Sequence, residues 1–190
     1  MVYVTPASAV TIYTNVSDIT ITSGQLFFDL GTNGTTGSAS TSSFGAADFV
    51  FNLATFTIST LGGDIVGYDA VPYGHPAYIF PEGNSIDASY DWSNGGLPFT
   101  WYTVDGGFPP GSTGIFGLRT LNGSGEHFYG WARATFNVDQ SLTLHDFAYN
   151  SVAEQPILAG QSTPVAEGGL GIVFLGCFFS CMLVYRRMLR

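Results

Sequence analysis

The sequence predicts an all-β fold, a single β-sandwich of jelly-roll type, followed by one carboxy-terminal transmembrane helix. Three observations carry this. From Val10 to Glu167 no stretch has helical periodicity, and the apolar residues fall in short alternating runs divided by glycine, asparagine and serine. From Gly168 to Tyr185 the chain passes without a charge, and as a helix rising about 1.5 Å per residue that run would extend roughly 27 Å, enough to cross a thin bilayer. Arg186, Arg187 and Arg190 close the run, so the positive-inside rule puts the arginines in the cytoplasm and everything before Gly168 outside.

Taken in order, the chain opens with MVYVTPASA, whose Ala7-Ser8-Ala9 suits a signal peptidase but which lacks a basic start and a full apolar core. Residues 1–9 are therefore read as a signal-peptide remnant, with the mature chain beginning near Val10; an edge strand over residues 2–9 is the other reading. Three early strands are expected at Thr11 to Thr14, Ile19 to Thr22 and Gln25 to Leu30, with Ser23-Gly24 splitting the last two. Gly31 to Gly45, rich in Gly, Ser and Thr, reads as a loop. Phe49, Phe51 and Leu53 then share one face, and Phe56 with Ile58 resumes after a phase slip that a bulge near Ala54 would explain.

Between Gly62 and Pro110 strands are expected at Ile65 to Tyr68, Ala77 to Phe80, Ile86 to Tyr90 and Thr100 to Val104, but the frequent prolines forbid a long ladder. Asn94-Gly95-Gly96 is a strong turn signal between Trp92 and Trp101. The pattern tightens at Ile115 to Leu121, Glu126 to Val138 and Leu142 to Tyr149. For the last hairpin a three-residue loop, Asp139 to Ser141, would pair Val138 with Leu142 and Phe136 with Leu144, so that both strands bury one face. The same register sets Trp131 opposite Tyr149 and Arg133 opposite Phe147. It also turns Asp146 toward the core unless the strand bulges there. The outer domain is thus expected over residues 10–160, a linker over 161–167 and the anchor over 168–190.

Composition fits an exported chain. The segment before Gly168 holds all 14 acidic residues against only Arg119 and Arg133, a net charge of about −12, while the tail carries +3, together the −9 of the whole. Such an acidic, lysine-free surface repels nucleic acid and excludes it as a partner. Cys177 and Cys181 both lie in the anchor, so the outer domain has no disulfide and must hold itself by an ordinary core.

The tail resembles the bacterial sorting signals of the PEP-CTERM type, which exosortases process: a Pro-Glu-Pro motif, one apolar helix and a terminal arginine cluster. Pro164, Val165, Ala166, Glu167, Gly168 and Gly169 stand where that family has its motif, with Glu167 kept and Ala166 and Gly168 in place of the two prolines. Tails with Val-Pro-Asp/Glu-Gly-Gly, and Gly-Gly tails cut by rhomboid-like proteases, fit comparably. An ordinary anchor that is never cut is the remaining alternative. The stretch from His127 to Gln161, with Tyr129-Gly130-Trp131 at its start, Ala148-Tyr149 near its end and a short Pro156 to Gly160 strand, also resembles the closing part of outer domains that carry such tails. That resemblance implies a β-sandwich, a sorting protease as partner, and an inner-membrane precursor delivered to the cell surface or extracellular matrix of a bacterium that makes exopolysaccharide.

Chemistry is sparse in the pattern. His75, His127 and His145 lack zinc-ligand spacing, and no Gly-x-Ser-x-Gly elbow exists, so no catalytic, metal or cofactor residue is assigned. A glycosidase pair such as Asp87 with Asp91 reads as surface acids. Loop carboxylates Asp64, Asp69, Asp87 and Asp105 could hold calcium outside a cell, without a supporting motif. Tyr90, Trp92, Trp101 and Tyr102 flank one glycine-rich turn, and Trp92, Trp101 and Tyr102 are candidates for stacking on sugar faces. The expected function is a non-enzymatic surface or matrix protein; the alternative is a carbohydrate-binding module.

Overall fold

Short alternating runs in a chain without helical period can bury their apolar faces only against one another, and they do so here as two antiparallel sheets. The computed structural model describes residues 9–32, 37–67, 76–99 and 108–163. In chain order the strands are β1 (Thr11–Ile21), β2 (Gln25–Asp29), β3 (Ser38–Ser40), β4 (Phe49–Asn52), β5 (Thr57–Thr60), β6 (Gly63–Val66) and β7 (Ile79–Phe80). There follow β8 (Ser85–Ile86), β9 (Trp92–Ser93), β10 (Leu97–Pro98), β11 (Ser112–Leu121), β12 (His127–Phe136), β13 (Leu142–Asn150) and β14 (Ile157–Leu158). The larger sheet runs β1-β13-β12-β11-β6-β9, with β7 also on β11; the smaller runs β10-β5-β4-β2-β3. The motif and membrane-stop residues, with the anchor run between them, lie outside the described residues, among which no helix is long and apolar enough to cross a membrane.

The two sheets share one core. Leu26, Phe28, Phe49, Phe51 and Ile58 from the smaller sheet pack in one cluster with Ile65, Phe116, Leu118, Phe136 and Leu144 from the larger. The opposite face of the larger sheet is not bare: Tyr129, Trp131 and Ile115 meet Phe80, Ile86 and Ile157, brought over by β7 and by the ribbon of β8 and β14. Trp131 is wholly buried there, and its indole N–H donates to the Gln161 carbonyl at 3.2 Å. Tyr90, one of the four aromatic residues around the glycine-rich turn, packs into this outer cluster against Phe80 at 4.9 Å.

Several expectations are corrected. The first two strands are one, β1, kinked by a bulge between Asn15 and Ile19 where Ser17 and Asp18 take positive φ and the Asn15 side chain accepts the Ser17 N–H. Within the stretch read as a loop, β3 pairs with β2; its Ser-Ala-Ser has no apolar pattern to betray it, because backbone hydrogen bonds at a sheet edge suffice. The phase slip at Ala54 is a hairpin turn rather than a bulge, with Asn52 opposite Thr57 and Phe56 at φ 51°. The expected strand at Ile86 to Tyr90 ends at Ile86, since Asp87 gathers the Ser89 N–H and both the Ser85 and Ser89 hydroxyls into a turn. Thr100 to Val104 lies outside the described residues.

The last hairpin has the expected buried face but a different register. Phe136 pairs with Leu142 and Ala134 with Leu144, so the connection takes in Asn137 to Ser141, and Val138 stands 80 % exposed at its tip. The shift of two residues preserves which side chains face the core. Asn137 and Asp139 explain the longer loop: the Asn137 amide bonds the Ser141 and Thr143 hydroxyls, and Asp139 accepts the Ser141 N–H. A bulge at His145 then restores Asp146 to the outer face opposite Arg133, while Trp131 lies opposite Ala148.

Where β2 ends and β4 begins, Asp29 and Asp48 are two buried acids side by side. Burial pushes Asp48 up to about 7; the Leu30 N–H, donated to it at 3.0 Å, works against this, and the neighbouring Asp29 adds to the rise. The folded state therefore keeps a proton that the unfolded chain releases near its ordinary value of 3.8. The stabilisation is full below that value and is lost as pH climbs through about 7. Asp48→Asn, which supplies an N–H in place of the proton, is expected to stabilise the protein at pH 8 by on the order of 2 kcal/mol and to change little at pH 4. Thermal melts at the two pH values check this.

Candidate functional site

An open cleft of about 640 Å³ lies on the larger sheet's outer face, lined by residues of β6, β9, β11 and β12 and of the segments beside them. The register builds it. Asp64 on β6 stands directly opposite Arg119 on β11, Arg119 directly opposite Tyr129 on β12, and Leu121 opposite His127 one step further along. Trp92 on β9 pairs with Val66 on β6, so it borders the same row. Gly63 lets β6 close on this position: a Cβ there would collide with the Arg119 carbonyl oxygen and come within 2.8 Å of the Phe49 ring.

Arg119 is the centre. Its Nε donates to Asp64 Oδ2 at 2.7 Å, and its guanidinium carbon lies 4.7 Å from the centroid of the Trp92 ring. The indole is fixed in turn, its N–H donating to the Asp87 carbonyl at 3.2 Å and its ring 5.7 Å from that of Tyr129. Neither Nη of Arg119 bonds a described residue. Since no sealed side-chain polar atom among the described residues lacks a partner, those nitrogens open onto the cleft.

On the far side His127 stacks on Tyr129, ring centroids 6.2 Å apart. Glu154, from the loop after β13, holds both: its carboxylate accepts the His127 N–H at 2.7 Å and the Tyr129 hydroxyl at 3.2 Å, and lies 3.2 Å from His127 Nδ1. Its backbone returns the bond, the Glu154 N–H donating to the His127 carbonyl at 2.7 Å, with Glu154 itself at φ 59°. The His127 backbone N–H is the main cause that keeps the Glu154 carboxyl below its ordinary range. Burial raises the Tyr129 hydroxyl, and the Glu154 charge adds to this.

Of the residues the sequence singled out, Trp92 lies in this cleft with Asp91 and Asn94 at its rim. Trp101 and Tyr102 lie outside the described residues, as do Asp69, Asp105 and His75. Asn94-Gly95-Gly96 does turn the chain, but it passes from β9 in one sheet to β10 in the other rather than closing a hairpin. Asp64 is engaged by Arg119 and Asp87 by its serines, and no group of three metal-ligating side chains occurs among the described residues. His145 is held far from the cleft, between Asp18 and Thr135 at 2.7 Å each. Sequence reasoning gave Arg119 and His127 no role in a site and did not single out Glu154. The signal was the pair of arginines in an otherwise acidic domain, since a lone cation on a strand needs a carboxylate across from it. Compared with protein-family models, with curated proteins and with solved structures, the chain finds no match.

Proposed function

We propose that this protein is an exported surface or extracellular-matrix protein, carried to the membrane and released from it through its PEP-CTERM-like tail. One observation carries the reading: the uncharged run from Gly168 to Tyr185, entered through the motif Pro164 to Gly169 and closed by Arg186, Arg187 and Arg190. In this reading the run spans the inner membrane as a helix, an exosortase-like protease acts near Glu167, and the β-domain works outside by covering or binding, without catalysis. The acidic, cysteine-free, lysine-free composition before Gly168 is in keeping with it. Within the sandwich, the first long strand lies beside the last, β1 on β13, and the chain then crosses to the other sheet at β2, as a jelly roll requires at that edge. The consecutive run β11-β12-β13 is a meander by contrast. In cells that make the protein natively, antibody raised against residues 10–160 is expected to label intact, unpermeabilised cells or their matrix. Label that appears only after lysis overturns the proposal.

A further inference from the structure

We infer that the cleft between β6, β9, β11 and β12 is a binding site for a neutral glycan, gripped by Arg119 and Asp64 with Asp91 and Asn94 at the rim. Arg119 is held in place from two sides, by Asp64 at 2.7 Å and by the Trp92 ring at 4.7 Å, yet its Nη nitrogens bond no described residue. The cost of ordering a long side chain is thus met before any ligand arrives, the condition under which hydrogen bonds add most to affinity. Beside those donors stand acceptors: Asp64 Oδ1 has no bond from a described residue, and Asp91 and Asn94 are exposed at the edge.

A sugar ring matches this arrangement. Adjacent hydroxyls offer a donor and acceptors at once, so one pair can accept from a guanidinium fork while giving its protons to a carboxylate. Charge selects against other small ligands. Two carboxylates face one guanidinium in the cleft, on a chain of net charge −9, which disfavours phosphates and uronic acids. A cationic ligand would seek the Trp92 ring, but the Arg119 guanidinium already lies over it. The volume of about 640 Å³ suits one or two sugar units. The open side leaves room for the rest of a polymer. Trp92 acts in this site as the support that fixes Arg119.

The inference is independent of how the domain is delivered, and its test does not involve the tail. The full chain, in a zwitterionic detergent without a sugar headgroup, is run in native gels containing dextran, mixed-linkage β-glucan, mannan, xylan or, as an anionic polymer, alginate. At least one neutral polymer is expected to retard it. Asp91→Asn and Asn94→Ala, both exposed changes that leave the fold alone, should each weaken that retardation about 3-fold or more, and Arg119→Gln about 10-fold or more, with near-ultraviolet circular dichroism confirming the fold. No retardation by any neutral polymer overturns the inference. So does retardation that all three variants retain, or a preference for alginate.

Discussion

Phe51→Ala is expected to destabilise the protein by about 3–5 kcal/mol, a large share of the 5–15 kcal/mol that typically holds a domain folded. Phe51 is fully buried on the smaller sheet, and its ring meets Phe28 of its own sheet at 5.5 Å, Phe116 of the opposite sheet at 5.4 Å and Phe99 at 5.7 Å. Truncation opens a cavity where the sheets join, and rings held by several neighbours cannot collapse into it. Phe27, on the outer face of the same sheet in a small cluster with Ala47, Val50 and Phe44, gives the control: Phe27→Ala should cost about half as much or less. Urea denaturation midpoints for the two variants check the difference. Equal losses would mean that the sheets do not share the core described here.

Arg133→Met is expected to cost about 3 kcal/mol at neutral pH. Arg133 grips Asp146 with a fork, Nε to Oδ1 at 2.9 Å and Nη2 to Oδ2, and Asp146 takes a third bond from the Tyr13 hydroxyl at 2.8 Å. The acid is nearly sealed, at 4 % exposure. Without the guanidinium a buried carboxylate keeps one neutral donor, which is why removing one partner of a buried pair costs far more than the pair contributes. Methionine keeps an unbranched apolar stem of similar length but loses the guanidinium, both from Asp146 and from its place 5.7 Å from the Trp131 ring centroid. Arg133→Met combined with Asp146→Leu should recover much of the stability, and denaturation of the three variants completes the cycle.

The strongest parts of the fold were legible because period-2 alternation is a strong signal wherever one face is buried. Phe136, Leu142 and Leu144 could be assigned to one face before their register was known, since a slip of two residues leaves that face unchanged. What alternation cannot report is loop length, and Asn137 with Asp139 lengthened the turn through side-chain hydrogen bonds. β3 was invisible for a related reason, being held by its backbone. Trp92, Asp64 and Asp91 were each singled out in the sequence for separate reasons, and nothing there joined them into one cleft. Asp64, Arg119 and Tyr129 are 55 and 10 residues apart in sequence, and only the pairing of three strands puts them in one row. Glu154 joins them from a loop whose left-handed backbone no residue type announces.

The proposed sorting and release turn on residues 164–190. Four glycines, Gly168, Gly169, Gly171 and Gly176, weaken the first turns of the expected helix by up to about 1 kcal/mol each relative to alanine, easing the backbone near Glu167 into a protease. The three arginines resist passage through the membrane by about 2.5–3.5 kcal/mol each, which would hold the precursor until it is cut. Intact-mass analysis of the protein recovered from native cells and from their medium tests this. The expected result is a released form that ends near Glu167 and lacks Arg186, Arg187 and Arg190. Molecules that all still end at Arg190, in both fractions, would contradict it.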